Sequence, residues 1–468
     1  MTFKQTANMR DKTRDKTRDK TRHAFIALLL SLWAAFAPPR AWSEQEASDP
    51  GDAIEAAALA AADQSETKPG VELSPAVVFQ VLAAEIAAQR GQLGTASQTL
   101  IELAKTTGDS RLARRATELS LRERVFARAL ASAELWRDLA PSSTQAKLVL
   151  ENLYLAASRF DKAGDLIGRR LEAAKTTQER AAIWINLRQL LLRTGRPESA
   201  IGLVESLQQS DRDSLGEAQA SLALLQVQAG DKQSVNSIAK LLNQKLNPNT
   251  RLELAQAAMQ LKRLDLAQAP LEELSQKGKE PALQSQALLL LAQLMRESAR
   301  ADEGFRLLDQ ELQQDPQRVE LLYDHAMAAE RLNKLDIAEQ SLRRLIAVRP
   351  RHAHAYNALG YSLADRNIRL EEAQAYIEKA LELAPEDPHI IDSMGWVRYR
   401  RGDLAGALTY LQKAYQLQAD PEIAIHLGEV LWKLDRKDEA IALWRQAQKT
   451  EPANQLLRDT LNRLAVTL

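Results

Sequence analysis

The sequence predicts an all-α fold, a stack of eleven helical hairpins, and three observations predict it. Ala96, Ala129, Ala163, Ala200, Ala267, Ala338, Ala373, Ala407 and Ala440 fall on one frame with steps of 32 to 37 residues, and Val235 and Gly304 fill its two remaining places. A period near 34 residues marks a two-helix unit that cannot bury its apolar face alone and stacks on its neighbours to do so. A small residue also stands eight places into most units, at Ala84, Ala223, Ala255, Ala292, Ala326, Gly360, Gly395 and Gly428. Thr117, Glu151 and Arg188 take that place in units two to four. Finally, the 468 residues are 45% hydrophobic but only 5% aromatic, with 18 Gly and 16 Pro, which suits alanine-rich helices and excludes wholesale disorder. Cysteine is absent, so disulfides, Cys-ligated metals and thiol chemistry are excluded.

Residues 1–43 read as an export signal. A basic stretch with a threefold Asp-Lys-Thr-Arg run (11–22) precedes Ala24–Ala37, which carries no charge. As a helix those fourteen residues span about 21 Å, short of the ~30 Å hydrocarbon core, so cleavage is expected rather than anchoring. Pro38-Pro39 stops the apolar helix, and Ala41 and Ser43 place small residues at −3 and −1 of a mature start near Glu44. The repeats are therefore expected in the periplasm, with an uncleaved signal as the route to the membrane. Beyond residue 43 remain 53 Lys and Arg against 59 Asp and Glu, an acidic balance that argues against nucleic-acid binding. Residues 44–74 are acidic and Ala-rich and read as a disordered linker.

Residues 75–318 hold the more divergent units and 319–454 the most regular ones. The frame follows from close helix packing: a small residue on the first helix admits the antiparallel second helix, and the recurrent alanine keeps the seam thin. Gly91, Gly195, Gly230 and Gly402 are read as hairpin turns; Pro141, Pro316, Pro350, Pro385 and Pro452 end second helices. Residues 455–468 read as a capping helix.

Asn-Ala-Leu-Gly-Tyr at 357–361, Ser-Met-Gly-Trp at 393–396, His-Leu-Gly-Glu at 426–429 and the endings Ala-Leu-Glu-Leu-Ala-Pro (380–385) and Gln-Lys-Thr-Glu-Pro (448–452) resemble the tetratricopeptide repeat. The resemblance implies a right-handed α-solenoid whose first helices line a concave groove. In its register, units three to six put Leu148, Leu155, Ile185, Leu192, Leu224, Val227, Leu252 and Met259 on the inner wall, which is either packed against neighbouring turns or the preceding linker, or open to an apolar peptide. The last three units put His354, Asn357, Tyr361, His389, Asp392, Trp396, Tyr399, Arg400, Glu429, Trp432 and Lys433 there. Aromatic faces mixed with hydrogen-bonding and charged groups suit an extended peptide, with Trp396 and Trp432 as anchors; the other reading of these aromatics is that they cap the solenoid.

The sequence carries no Walker loop, no Gly-x-Ser-x-Gly elbow and no His-Glu-x-x-His, and the spacing of His352 and His354 points the two rings apart on a helix, so no enzyme, metal or cofactor is expected. The stretch Asn357–Asp438, with the opening unit VLAAEIAAQRGQLGTA, resembles proteobacterial outer-membrane tetratricopeptide lipoproteins. One branch of that family is an adaptor that binds a periplasmic carboxyl-terminal processing protease and delivers cell-wall hydrolases to it. That resemblance implies a scaffold for a protease or hydrolase partner, although the lipidated cysteine of that family has no counterpart here. The alternative is an assembly component for outer-membrane biogenesis or polysaccharide export, using other faces or self-association.

Overall fold

A computed structural model describes residues 74–209, 211, 215–277 and 280–468. The signal at 1–43 and, save for Ser74, the linker at 44–74 lie outside the described residues. Every regular element among the described residues is helical, in the predicted all-α order. Hairpin 1 pairs α1 (Pro75–Gln89) with α2 (Leu93–Thr107), hairpin 2 α3 (Ser110–Arg122) with α4 (Phe126–Leu139), and hairpin 3 α5 (Thr144–Ala156) with α6 (Phe160–Ala173). Hairpins 4 to 6 are α7 (Thr177–Arg193) with α8 (Pro197–Gln208), α9 (Leu215–Gln228) with the short α10 (Val235–Leu242), and α11 (Pro248–Gln260) with α12 (Leu264–Lys277). Then come α13 (Pro281–Glu297) with α14 (Ala301–Gln314), α15 (Leu322–Arg331) with α16 (Leu335–Val348), and α17 (Ala353–Asp365) with α18 (Leu370–Leu383). Hairpins 10 and 11 are α19 (Pro388–Arg400) with α20 (Leu404–Leu417) and α21 (Pro421–Lys433) with α22 (Lys437–Thr450), followed by α23 (Gln455–Leu464). The chain divides into two compact units, one ending at Ala287 and the other Leu288–Leu468.

Local chemistry sets these limits. Ser74, Asp109, Ser143, Asp387, Asp420 and Asn454 cap first helices or α23 by accepting backbone N–H bonds, and Thr176 with Glu179 forms a full capping box on α7. The hairpin turns show a regularity that the glycines only hint at. Each of the eleven described turns has a residue in the left-handed region, Gly91, Arg124, Ser158, Gly195, Gly230, Lys262, Ala299, Asn333, Asn367, Gly402 or Asp435, and the ninth adds a second, Arg369. In ten of them the following N–H reaches back to the helix in the Schellman pattern, as Asp403 N does to Arg398 O. The repeat is thus defined by a backbone conformation, and only four turns use the residue that adopts it without strain.

The alanines of the frame are all buried in the hairpin seams. In hairpins 9 and 10 each packs on the glycine of its own first helix: a Cβ added at Gly360 would lie 2.8 Å from Ala373 O, and one at Gly395 3.2 Å from Ala407 O. In α23, Leu457 is buried and Leu461 and Leu464 lie against the core of hairpin 11.

Candidate functional site

The eleven residues read from the sequence as an inner wall all lie in the second unit, on α17, α19 and α21, and the structure joins most of them into one polar–aromatic network. Its centre is His426, which the inner-wall register misses because it sits one place off those slots. The ring is 1% exposed, faces Asp392 with Nδ1···Oδ2 at 2.9 Å, and approaches the Tyr361 hydroxyl at 3.4 Å through Nε2. Trp396 stacks on it at 4.3 Å. Burial disfavours the charged imidazole, but Asp392 outweighs that, so His426 titrates above its ordinary range.

From Trp396 the network runs on to Tyr399, 5.1 Å away ring to ring, whose hydroxyl donates to Glu429 Oε1 at 2.8 Å. Glu429 has no exposed surface and takes both Nη groups of Arg463 from α23, at 2.6 and 2.7 Å. Burial pushes its carboxyl up, and the Arg463 and Tyr399 bonds more than reverse that, leaving it below the usual range. Burial, with the same bond adding to it, pushes the Tyr399 phenol up. Arg400 lies over the Trp396 ring at 5.7 Å and donates to Asp365 O at 2.9 Å.

Asp392, Trp396 and Glu429 therefore differ from their expected place on an open wall: they are 5%, 2% and 0% exposed, closed over by His426 and α23. Trp432 is half-buried between Trp444, 5.7 Å away, and the Lys437 ammonium at 5.5 Å, so it has the packing partners the sequence did not reveal. His354 is half-buried with Nε2 3.7 Å from Asp387, and burial lowers its basicity; His389 and Lys433 are exposed. His352 caps α17 by accepting from Ala355 N at 3.1 Å, and no group of side chains among the described residues is arranged to hold a metal. Three buried polar atoms on neighbouring first helices have no partner among the described residues: the Trp396 indole N–H, the Asn357 side-chain carbonyl and Arg398 Nε.

The apolar wall expected in the first unit is not open. Leu155, Leu224, Leu252 and Met259 are buried and Leu148, Ile185, Leu192 and Val227 half-buried. What the sequence missed is a second polar tie, between the first helices of hairpins 4, 5 and 6. Arg188, on α7 with no exposed surface, donates to Glu253 at 2.7 Å and to Thr250 at 2.8 Å on α11, and to Glu217 at 3.3 Å on α9. The Thr250 hydroxyl in turn donates to Glu217 at 2.7 Å. The signal was the departure of Arg188 from the small residue of the frame.

Residues 323–388 and 393–454 match the tetratricopeptide repeat model. A curated tetratricopeptide-repeat-containing protein of Pseudomonas aeruginosa is 42% identical over 153 residues, 33% of this chain, and the chain spans about a quarter (26%) of that relative. A thermophilic tetratricopeptide protein of Thermus thermophilus is 26% identical over 39% of this chain and all of its own, with a TM-score of 0.35. A tetratricopeptide repeat protein from Parabacteroides merdae is 16% identical over 53% of this chain and 97% of its own, with a TM-score of 0.45.

Proposed function

We propose that this tetratricopeptide-repeat chain is a non-enzymatic scaffold of the cell envelope that holds a peptide or protein partner on the α17–α19–α21 surface. One observation carries the reading. A buried donor, Trp396 Nε1, and a buried acceptor, Asn357 Oδ1, stand unpaired on adjacent helices. An unmade bond to a buried polar group costs about 1–3 kcal/mol, and a peptide group brings the complementary acceptor and donor. Tyr361, Tyr399 and Arg400 flank the pair, and His389 stands exposed on α19 and Lys433 on α21. The buried Asp392, His426 and Glu429 hold that frame, and the partner reaches the equally buried Trp396 N–H by displacing the side chains that cover it.

The partner class we favour is an envelope protease or cell-wall hydrolase, by the resemblance of residues 357–438 to periplasmic protease adaptors. The test is recovery of such an enzyme from periplasmic extract by residues 44–468, beside Trp396→Phe and Trp432→Ala variants shown folded by circular dichroism. Trp396→Phe keeps an aromatic ring at this place but removes the indole N–H with the second ring, so recovery is expected to fall about tenfold while the fold is kept. Equal recovery by all three proteins would remove the site from this role. The assembly reading has one observation in its favour: Val78, Phe79, Leu82 and Ile86 form an exposed apolar stripe on α1, Phe79 being 72% exposed. Self-association abolished by Phe79→Ser with Leu82→Ser would establish it.

A further inference from the structure

We propose that the groove between the second helices of hairpins 3 and 4, α6 and α8, is a docking site for a basic amphipathic helix of a partner protein. The groove has a volume of about 610 Å³, a floor of Phe160, Leu203 and Leu207, and glycines on both banks. Helix-interior glycine costs up to about 1 kcal/mol against alanine and is ordinarily tolerated for a positive φ or a tight seam. Gly168 and Gly202 meet neither need. Neither has a positive φ, a Cβ at Gly202 would meet nothing within 4 Å, and one at Gly168 would only touch Leu207 Cδ2 at 3.7 Å. In the second unit, by contrast, a Cβ at Gly428 would lie 2.4 Å from the Trp444 indole. What the groove glycines provide is room, a strip of bare backbone onto which another helix can settle at short interaxial distance.

Charge says what that helix carries. Asp161, Asp165 and Glu172 line the same groove, with Arg169 as the opposing charge. On a 3.6-residue helix the three carboxylates fall within about 40° of one another along about 16 Å of α6, beside Gly164 and Gly168. All three are exposed, and none is ion-paired within the described chain. A row of free carboxylates beside an apolar floor complements a helix of about three turns with Lys or Arg along one edge and small apolar residues on the face that enters the groove. This site lies in the other unit from the α17–α19–α21 surface, so each stands or falls alone.

The test uses a fluorescein-labelled helical peptide of Ala and Leu with arginines spaced like the three carboxylates, titrated by anisotropy against residues 44–468 at low ionic strength. Saturable binding is expected, weakened about tenfold or more by Asp161→Asn with Asp165→Asn and Glu172→Gln. It should be weakened as much by Gly202→Leu, which fills the groove without touching its charge and has open space to fold into. Glu378→Gln with Glu382→Gln, on α18, should change nothing. Absence of saturable binding overturns the proposal, and so does binding that the charge variant loses and Gly202→Leu keeps, since that would be attraction without a groove.

Discussion

Hairpins 4 to 6 and hairpins 9 to 11 solve one problem in two ways. In both, a polar network ties three consecutive first helices together: Arg188 with Glu217, Thr250 and Glu253 in the first unit, and Tyr361, His426, Asp392, Trp396 and Glu429 in the second. The first network is closed. Arg188 uses Nε, Nη1 and Nη2, and none of its polar atoms is left buried and unpaired. The second is built the same way and leaves the Trp396 N–H and the Asn357 carbonyl over. A closed network fixes the register of neighbouring hairpins, and one with a donor and an acceptor to spare can do that and bind.

The residue eight places into each unit sets what fills the hairpin seam. At Gly360 and Gly395 the glycine lets the second helix bring the Ala373 and Ala407 carbonyls close, and at Gly428 the space is taken by the Trp444 indole. Where it is Thr117, Glu151 or Arg188, the seam holds a buried polar side chain that must find partners across it: Ser132 at 3.0 Å for Thr117, Arg170 at 3.1 Å for Glu151, and two further hairpins for Arg188.

The largest effect should come from breaking the closed network. Arg188→Ala leaves the buried Glu217 and the half-buried Glu253 without their cation, and about 3 kcal/mol of stability should be lost, read from chemical denaturation. Adding Glu217→Gln and Glu253→Gln should recover part of that. A full recovery would mean that the ion pairs add nothing beyond their own desolvation.

Two buried groups, one in each unit, should also respond to pH in different windows. Burial raises the Glu151 carboxyl to about 7, against 4.5 ordinarily, and Arg170 only partly opposes it. The folded state thus holds a proton that the unfolded state releases first, so stability is greatest below about 4.5 and falls as pH rises to about 7, by up to about 3 kcal/mol. Glu151→Gln should flatten that slope. His426 is also raised, by Asp392 against the opposing effect of burial, with Glu422 and Glu429 adding to it. Its contribution is complete below the ordinary 6.5 and is lost as pH climbs above that, and His426→Gln should abolish this higher transition alone.

Smaller losses should follow in the second unit when a seam glycine gains one carbon. A Cβ at Gly395 would stand 2.6 Å from Leu411 Cγ and 3.2 Å from Ala407 O, and a helix carbonyl cannot step aside as a side-chain tip can. Gly395→Ala should cost about 1–3 kcal/mol, whereas Gly202→Ala in the first unit should be neutral or stabilising. Such seams were legible in the sequence because they depend on residues within one hairpin, whose spacing the chain fixes. The networks were not. Glu253 lies two hairpins beyond Arg188, and His426 reaches Asp392 from one place off the inner register, so both depend on how first helices stand side by side. Arg463 escaped for the same reason, since nothing in α23 shows that it turns back to Glu429.

The gentlest test concerns the turns of the second unit. Ala299, between α13 and α14, sits at φ 58° with no polar side chain to bond its own backbone, a conformation that costs an L-residue about 1–2 kcal/mol. Glycine adopts it freely but loses more entropy on folding, so Ala299→Gly should gain up to about 1 kcal/mol net. Asn333→Gly and Asn367→Gly should gain less, because asparagine already tolerates this region. If Ala299→Gly were destabilising instead, the Schellman turn would not set the repeat, and the hairpin would be held by its seam alone.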